Sequence, residues 1–300
     1  YSNTTHNNNA FGYNSLLSNS SGASNCAFGS HSLDNNTSGA RNTAMGHRTM
    51  DANTTGSDNV AIGTNALDSN TTASNNVAVG SGALAGNTTG TNNVAIGRSS
   101  FNVSTTGSDN VGVGLGAGQA TTTGFHLVAI GRNALVGNTT GDSNIAIGRA
   151  CMEANTTASN NTAIGKHAML VNTTGSENIA IGAFALDANT TAAKGVAIGT
   201  YALSGNTTGA SNTSVGYSAL GSNTTGNYNV AMGQDALNAN TTASNNVSVG
   251  FRSSMVNTTG ANNVAMGFFA LNQNTTANDN TAIGRSALTA NTTGSQNTAI

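Results

Sequence analysis

Asn53-Thr54-Thr55-Gly56-Ser57-Asp58-Asn59-Val60-Ala61-Ile62-Gly63-Thr64-Asn65-Ala66-Leu67-Asp68-Ser69 is followed at once by Asn70-Thr71-Thr72-Ala73-Ser74-Asn75-Asn76-Val77-Ala78-Val79-Gly80. The same 17-residue unit runs from end to end of the chain without an insertion or deletion. A fixed short period means stacked turns, a solenoid or a fibre, in which each repeat meets only its neighbours. The sequence therefore predicts an all-β fold, a parallel β-solenoid or β-roll with one repeat per turn. Residues 1–300 form one continuous array of about 17.6 turns. It begins at Tyr1 and stops at Ile300 inside repeats, and so reads as a segment of a longer fibre.

Composition agrees with stacking rather than with a globular enzyme. Charged residues are 7% of the chain, against about 25% in an ordinary domain. Disorder combines low hydrophobicity with high net charge. Here 37% of residues are hydrophobic, they fall in fixed columns, and the net charge is −2. That balance gives no reason to expect nucleic acid or an anionic membrane as partner. No apolar run approaches the roughly 18 residues of a membrane span. Cys26 and Cys151 lie about seven repeats apart, roughly 35 Å at ~4.8 Å per turn, which rules out a disulfide within one solenoid. Cys26 fills a Val column and reads as a buried apolar residue.

Let Asn53 define column 1, so that Gly63 is column 11 and Ser69 column 17. Column 11 is Gly in every complete turn: Gly12, Gly29, Gly46, Gly63, Gly80, Gly97, Gly114, Gly131, Gly148, Gly165, Gly182, Gly199, Gly216, Gly233, Gly250, Gly267 and Gly284. An invariant Gly predicts a positive φ or a backbone approach too close for a Cβ. Column 4 is usually Gly (Gly56, Gly90) but Ala at Ala73, Ala158, Ala192, Ala243 and Ala277, and does not demand a positive φ. Column 10 is always apolar and column 8 is mostly Val, Ile or Thr, while column 9 between them holds only Ala, Gly or Ser. Alternate strand residues face opposite sides. Both faces are expected to be buried, one of them against the opposite wall of a narrow roll or a neighbouring chain. Ala66-Leu67 in columns 14 and 15 begins a second apolar strip. Each turn is thus expected to carry two short strands, near columns 7–10 and 13–16. Stacking at ~4.8 Å per turn would give a rod of about 85 Å. Turns that lose the Leu, at Gly112 to Gly118 and at Ser254, are expected to be the weakest, with Met255 a filler for the second. Lys and Arg occupy columns 6, 12 and 13, and acids columns 5, 6, 12–13 and 16, so those columns face water. Column 7 is Asn in nearly every turn, which suits a ladder of stacked amides.

These columns compose the unit Asn-(Val/Thr)-Ala-(Ile/Phe)-Gly-x-x-Ala-Leu-x-x-Asn-Thr-Thr-Gly. It resembles repeats in the shafts of tail-fibre-type proteins of phages and bacteria, most closely at Tyr1-Ser2-Asn3-Thr4-Thr5 and Ala10-Phe11-Gly12-Tyr13. The Val60-Ala61-Ile62-Gly63 core is also similar to the head repeats of YadA-like trimeric autotransporter adhesins. That resemblance implies a left-handed parallel β-roll assembled as a homotrimer. The 17-residue period departs from that of the adhesin heads, which leaves the handedness and the chain count open.

No constellation for catalysis stands out. His6, His31, His47, His126 and His167 occupy four columns and form no stack. The Gly-x-Gly strings near Gly112, Gly114 and Gly116 belong to the repeat and lack a nucleotide fingerprint's strand–helix context. No column supplies the Asp that a calcium-binding solenoid needs in each repeat. Neither an enzymatic activity nor a cofactor is expected.

One block has a specific functional alternative. Asn-x-Ser/Thr is the N-glycosylation acceptor. It recurs at Asn19, Asn36, Asn53, Asn70, Asn87, Asn138, Asn155, Asn172, Asn189, Asn206, Asn223, Asn240, Asn257, Asn274 and Asn291. The same residues suit a bend, so the block is a turn, a sugar attachment site, or both. Ice binding by Thr ladders is disfavoured, because Thr54 and Thr55 are adjacent and point to opposite sides of an extended strand.

The reading that follows is a structural fibre, the shaft of an extracellular or virion filament or tail fibre. It self-associates as a homotrimer or head to tail. The alternatives are an adhesin-type surface domain that binds host protein or glycan, and an N-glycosylated extracellular fibril.

Overall fold

The structure is a computed structural model that describes residues 7–300. Tyr1 to Thr5, which carry part of the resemblance, and His6 lie outside the described residues. Two compact units divide the chain, Tyr1–Ala150 and Cys151–Ile300. The first holds nine strands, from β1 (Asn9–Phe11) to β9 (Ile145–Ile147), and the second nine more, from β10 (Thr162–Ile164) to β18 (Thr298–Ala299). Within each unit successive strands pair in parallel, each residue with the one 17 positions on, as in Val60↔Val77 and Val196↔Thr213. The 17-residue repeat is therefore one turn of an all-β solenoid.

Each turn has one strand, not the two expected. Columns 8–10 form a three-residue strand, and columns 12–17 form turns. The Ala66 amide donates to the Gly63 carbonyl, and the Asn70 amide to that of Leu67. Three non-glycine columns take a positive φ in turn after turn, as at Asp58 (60°), Asn65 (55°) and Leu67 (55°). Asn and Asp tolerate this conformation, but Leu pays on the order of 1–2 kcal/mol for it. Burying the Leu side chain returns about 1.5–3 kcal/mol, and its backbone bonds are kept. The Leu67 amide donates to Ala83 O at 2.9 Å on the following turn, and the Asn65 amide to His47 O at 3.1 Å on the preceding one. The turns thus remain tied to their neighbours around the whole perimeter.

The column 11 glycines take the positive φ that their invariance implied, and most also approach the next turn too closely for a Cβ. Their φ lies between 122° and 142°. A Cβ on Gly63 would stand 2.8 Å from the Gly80 carbonyl carbon.

Six columns point inward, represented by Asn53, Gly56, Asn59, Ala61, Ala66 and Leu67. The cross-section is so small that Ala, not Val or Ile, supplies the strand's core residue. This corrects the expectation for the strand faces: Ala61 is fully buried, while Val60 is half-buried and Ile62 is 39% exposed. Cys26, in the Val column, is likewise half-buried and faces outward, whereas Cys151 is buried with its Sγ 3.2 Å from Ala163 O. Charge is excluded from the buried set among the described residues.

The Gly112 to Gly118 turn, expected to be weak for want of its Leu, is filled from the turn before. Phe101 of the preceding turn is fully buried and occupies the space that Leu would take at Gly118. A Cβ at Gly112 would come within 2.6 Å of Phe101 Cε2, and one at Gly118 would clash with the ring outright. At Ser254 no larger side chain moves in. Met255 stays half-buried, and the neighbouring Ser248 Oγ hydrogen-bonds Ser253 O at 2.7 Å.

Two buried Asn ladders tie the turns together. Asn53 Nδ2 donates to Asn36 Oδ1 at 2.7 Å on the preceding turn and to Gly56 O at 3.0 Å in its own. Asn42 Oδ1 accepts from both the Asn59 amide N and Asn59 Nδ2, at 3.0 and 3.1 Å. Asn59 Nδ2 also donates to Ala73 O at 2.9 Å. Where column 7 loses its Asn, the backbone keeps the bond: the Leu127 amide donates to Asn110 Oδ1 at 2.9 Å, and that of Gly195 to Asn178 Oδ1 at 2.8 Å. Column 1 does break at Ser104, whose side chain is too short to bridge. Asn87 Oδ1 and Ser104 Oγ are both buried and unpartnered there.

Two stability changes follow. Ser104→Asn restores a donor to Asn87 Oδ1 and should raise the unfolding free energy by about 1 kcal/mol; an unchanged or lower chemical-denaturation midpoint would contradict the ladder. Phe101→Leu and Gly118→Leu should each destabilise the chain alone, by about 1–3 kcal/mol, yet largely cancel in the double variant. Additive losses would show that the two positions do not share one space.

Candidate interaction surface

Because the interior takes only Ala, Gly or Ser from each strand, the bulkier residues of columns 8 and 10 form the outer face. In the first unit column 10 exposes Phe11 (69%), Phe28 (51%) and Met45 (42%), then Ile62, Ile96 and Ile130. Phe11 and Phe28 stack with ring centroids 4.8 Å apart. In the second unit Ile164, Ile181, Ile198, Met232, Met266 and Ile283 are exposed in the same column, with Ile179 beside them in column 8. Neither column contains a charged residue in any turn. Parallel pairing places these side chains directly above one another, so they form a continuous apolar strip in each unit. Column 8 contributes Asn9, Cys26 and Thr43 in the first unit and Thr162, Thr213, Thr281 and Thr298 in the second, so column 10 carries the apolar continuity.

The rims of the strip carry opposite charge. On the column 12–13 side, the first unit has Arg48, Arg98, Arg132 and Arg149, and the second Lys166, Arg252 and Arg285. On the column 5–6 side the first unit has Asp58, Asp109 and Asp142, and the second Glu177 and Asp279, with Arg41 and Lys194 as exceptions. Arg41 is bound to the next turn's Asp58 through Nε and Nη2, at 2.6 and 2.7 Å. These hydrogen bonds hold the Asp58 carboxyl below the usual carboxylate range. Asp235 on the basic rim is paired with Arg252 at 3.2 Å. Column 16 acids sit deeper. Burial pushes Asp68 and Asp187 above the usual range, opposed at Asp68 by Arg48.

The glycosylation acceptors point the other way. From Asn36 to Asn274 the Asn side chains of this pattern are buried, and only Asn19 and Asn291 are half-buried. Asn70 Nδ2 donates to Asn53 Oδ1 at 2.8 Å and to Ala73 O at 3.0 Å, so both of its protons are engaged; Asn189 and Asn223 repeat this. A glycan on these nitrogens requires the amide to leave the core and both ladder bonds to break. The following Thr is also used: Thr54 Oγ1 donates to Thr71 O at 2.9 Å. Only the second Thr of the block is fully exposed, which gives a single outward Thr rank.

The outer strip was missed by reasoning from alternation. Its available signal was the absence of charge from columns 8 and 10, which is equally the signal of a core. Groups of three or more potential metal ligands are absent among the described residues.

Expression in a host with N-glycosylation machinery should leave the acceptors between Asn36 and Asn274 unmodified in folded protein. Intact mass before and after glycosidase checks this; a loss of many glycans on treatment would place these Asn residues outside the core.

The chain matches no protein-family model, and no curated protein is significantly similar to it.

Proposed function

We propose that this chain is a structural fibre protein, the shaft of an extracellular or virion filament, whose copies pack side by side through the outer strand face. The observation that carries this reading is the uncharged apolar strip of columns 8 and 10, repeated in every turn. Water-exposed Ile, Met and Phe on this scale mark an association surface. A second copy offers the matching surface, with the same rise per turn.

The rims supply the direction. Copies packed parallel bring the basic rim of one against the acidic rim of the next. Antiparallel copies bring like charges together, which costs affinity and specificity. A parallel homotrimer and other parallel rings share this pattern, and the resemblance to trimeric adhesin heads favours three chains. The function is mechanical: stacked turns hold a fixed spacing while the variable outer columns face the surroundings. Neither catalysis nor a cofactor enters this reading.

Sedimentation equilibrium should give a small integral multiple of 29.6 kDa. Ile62→Lys with Ile198→Lys should shift it to monomer while the circular dichroism of the folded turns persists. Cys26 gives the direction, since it faces outward near one end and Cys151 is buried. Mild oxidation should link Cys26 to Cys26 between parallel copies. A parent chain that is monomeric at every concentration sinks the proposal. An assembly whose Cys26 residues never cross-link, even after the partly exposed thiol is shown to react with a small reagent, sinks the parallel arrangement.

A further inference from the structure

Columns 12 and 13 vary from turn to turn, and in the second unit four successive turns place a ring there: His167, Phe184, Tyr201 and Tyr217. The rings touch in sequence. His167 meets Phe184 edge-on at 5.2 Å, Phe184 stacks on Tyr201 at 5.2 Å and 10°, and Tyr201 meets Tyr217 edge-on at 6.1 Å. Ser218 follows Tyr201 in column 13, so the face-to-face stack ends at Tyr201. Tyr201 is 40% exposed.

Beside this ring lies an open groove of about 510 Å³, lined by Tyr201, Leu170, Val171, Asp187, Ser204 and two glycines. Gly221 opens it, as the one residue without a side chain in column 16. Asp187 differs from three of its four acidic column mates. Asp34, Asp51 and Asp68 each lie within 3.7 Å of a His or Arg nitrogen, whereas no ion pair engages Asp187 among the described residues. Its carboxyl is half-buried, with burial pushing it toward the protonated form. The groove therefore combines an aromatic platform, aliphatic walls, a hydroxyl and a carboxyl group that no ion pair engages, with His167 within its electrostatic reach.

A pyranose ring has the complementary chemistry. It presents an apolar C–H face edged by hydroxyl groups, and sites that mix aromatic surface with a few placed polar groups suit such ligands. Phosphate, sulfate and uronate would meet Asp187 with no cation in the lining. We propose that this groove binds an uncharged pyranose unit of an oligosaccharide or polysaccharide, with Tyr201 as the stacking platform and Asp187 as a hydroxyl partner. Successive ring contacts along the turns suit a chain molecule lying along the stack. The groove lies in columns 13, 16 and 17, away from the outer strand face, so this inference and self-association fail or stand separately.

The test is a tyrosine-fluorescence titration of the intact chain with neutral hexasaccharides of glucose, mannose, xylose and N-acetylglucosamine, and with hexagalacturonate as the anionic control. At least one neutral series should saturate and hexagalacturonate should not. Tyr201→Ala should weaken binding about tenfold, the scale of removing an aromatic anchor. Ser218→Phe should do the same by covering the open ring face. Its backbone φ of 52° matches those of Phe184 (58°) and Phe269 (53°) in the same column, so the fold accepts the ring. Thermal melts of both variants should stay at the parent value. Asp187→Ala should also lose affinity. The proposal is overturned if no neutral sugar saturates by about 10 mM, a very weak affinity, if the variants bind like the parent, or if hexagalacturonate binds better.

Discussion

The buried amides of columns 1 and 7 each find a partner on a neighbouring turn, and the rest of the architecture depends on that exchange. A buried amide left unpaired costs about 1–3 kcal/mol. Asn53 uses both Nδ2 protons, one on the preceding turn and one on its own bend. Asn59 takes Asn42 Oδ1 through its backbone and its side chain together. An inserted residue would misplace both amides at once, along with the Gly63 carbonyl packed against Gly46 of the preceding turn. The absence of any insertion or deletion over 300 residues follows from this, because the length of the turn is set by bonds between turns. The break at Ser104 shows the dependence locally, since it leaves a buried oxygen on each side without a partner.

The same constraint explains why the strands look inside out. With two amides, a Gly or Ala, and a Leu already inside each turn, the strand can contribute only Ala, Gly or Ser. Val, Ile and Met are left outside, where isolated turns would expose them to water. Oppositely charged rims border that face. A narrow solenoid therefore converts a packing limit into an exposed apolar face, and this links the fold to the proposed role in a fibre. The variable columns beyond Gly63 are released from both duties. They carry the rings and the groove of the second unit.

Much of this was legible by column. The period predicted one turn per repeat, the invariance of Gly63 and its equivalents predicted their backbone, and Asn59 with its equivalents predicted a ladder. Charge also stayed out of the core as its columns implied. Other features depend on the closed cross-section, which no single repeat encodes. A three-residue strand is too short to show which of its faces is the core, since small and bulky residues can each be buried. Leu67 gave no sign of a left-handed conformation, because Leu there is chosen for burial and not for its φ. Asn53 read as a bend or a sugar site because its sequence pattern is the same in both; only its inward direction separates them. Gly118 read as a defect because its filler, Phe101, belongs to the turn before.

The most direct measurement is hydrogen exchange of the Asn side-chain amides, followed by NMR. If the ladders bind the turns, the Nδ2 protons of Asn53, Asn59, Asn70 and Asn76 exchange as slowly as the strand backbone amides, while those of the exposed Asn65 and Asn75 exchange rapidly. Equal, fast exchange in both groups would contradict the account, because it would mean that the turns are held together without the amides.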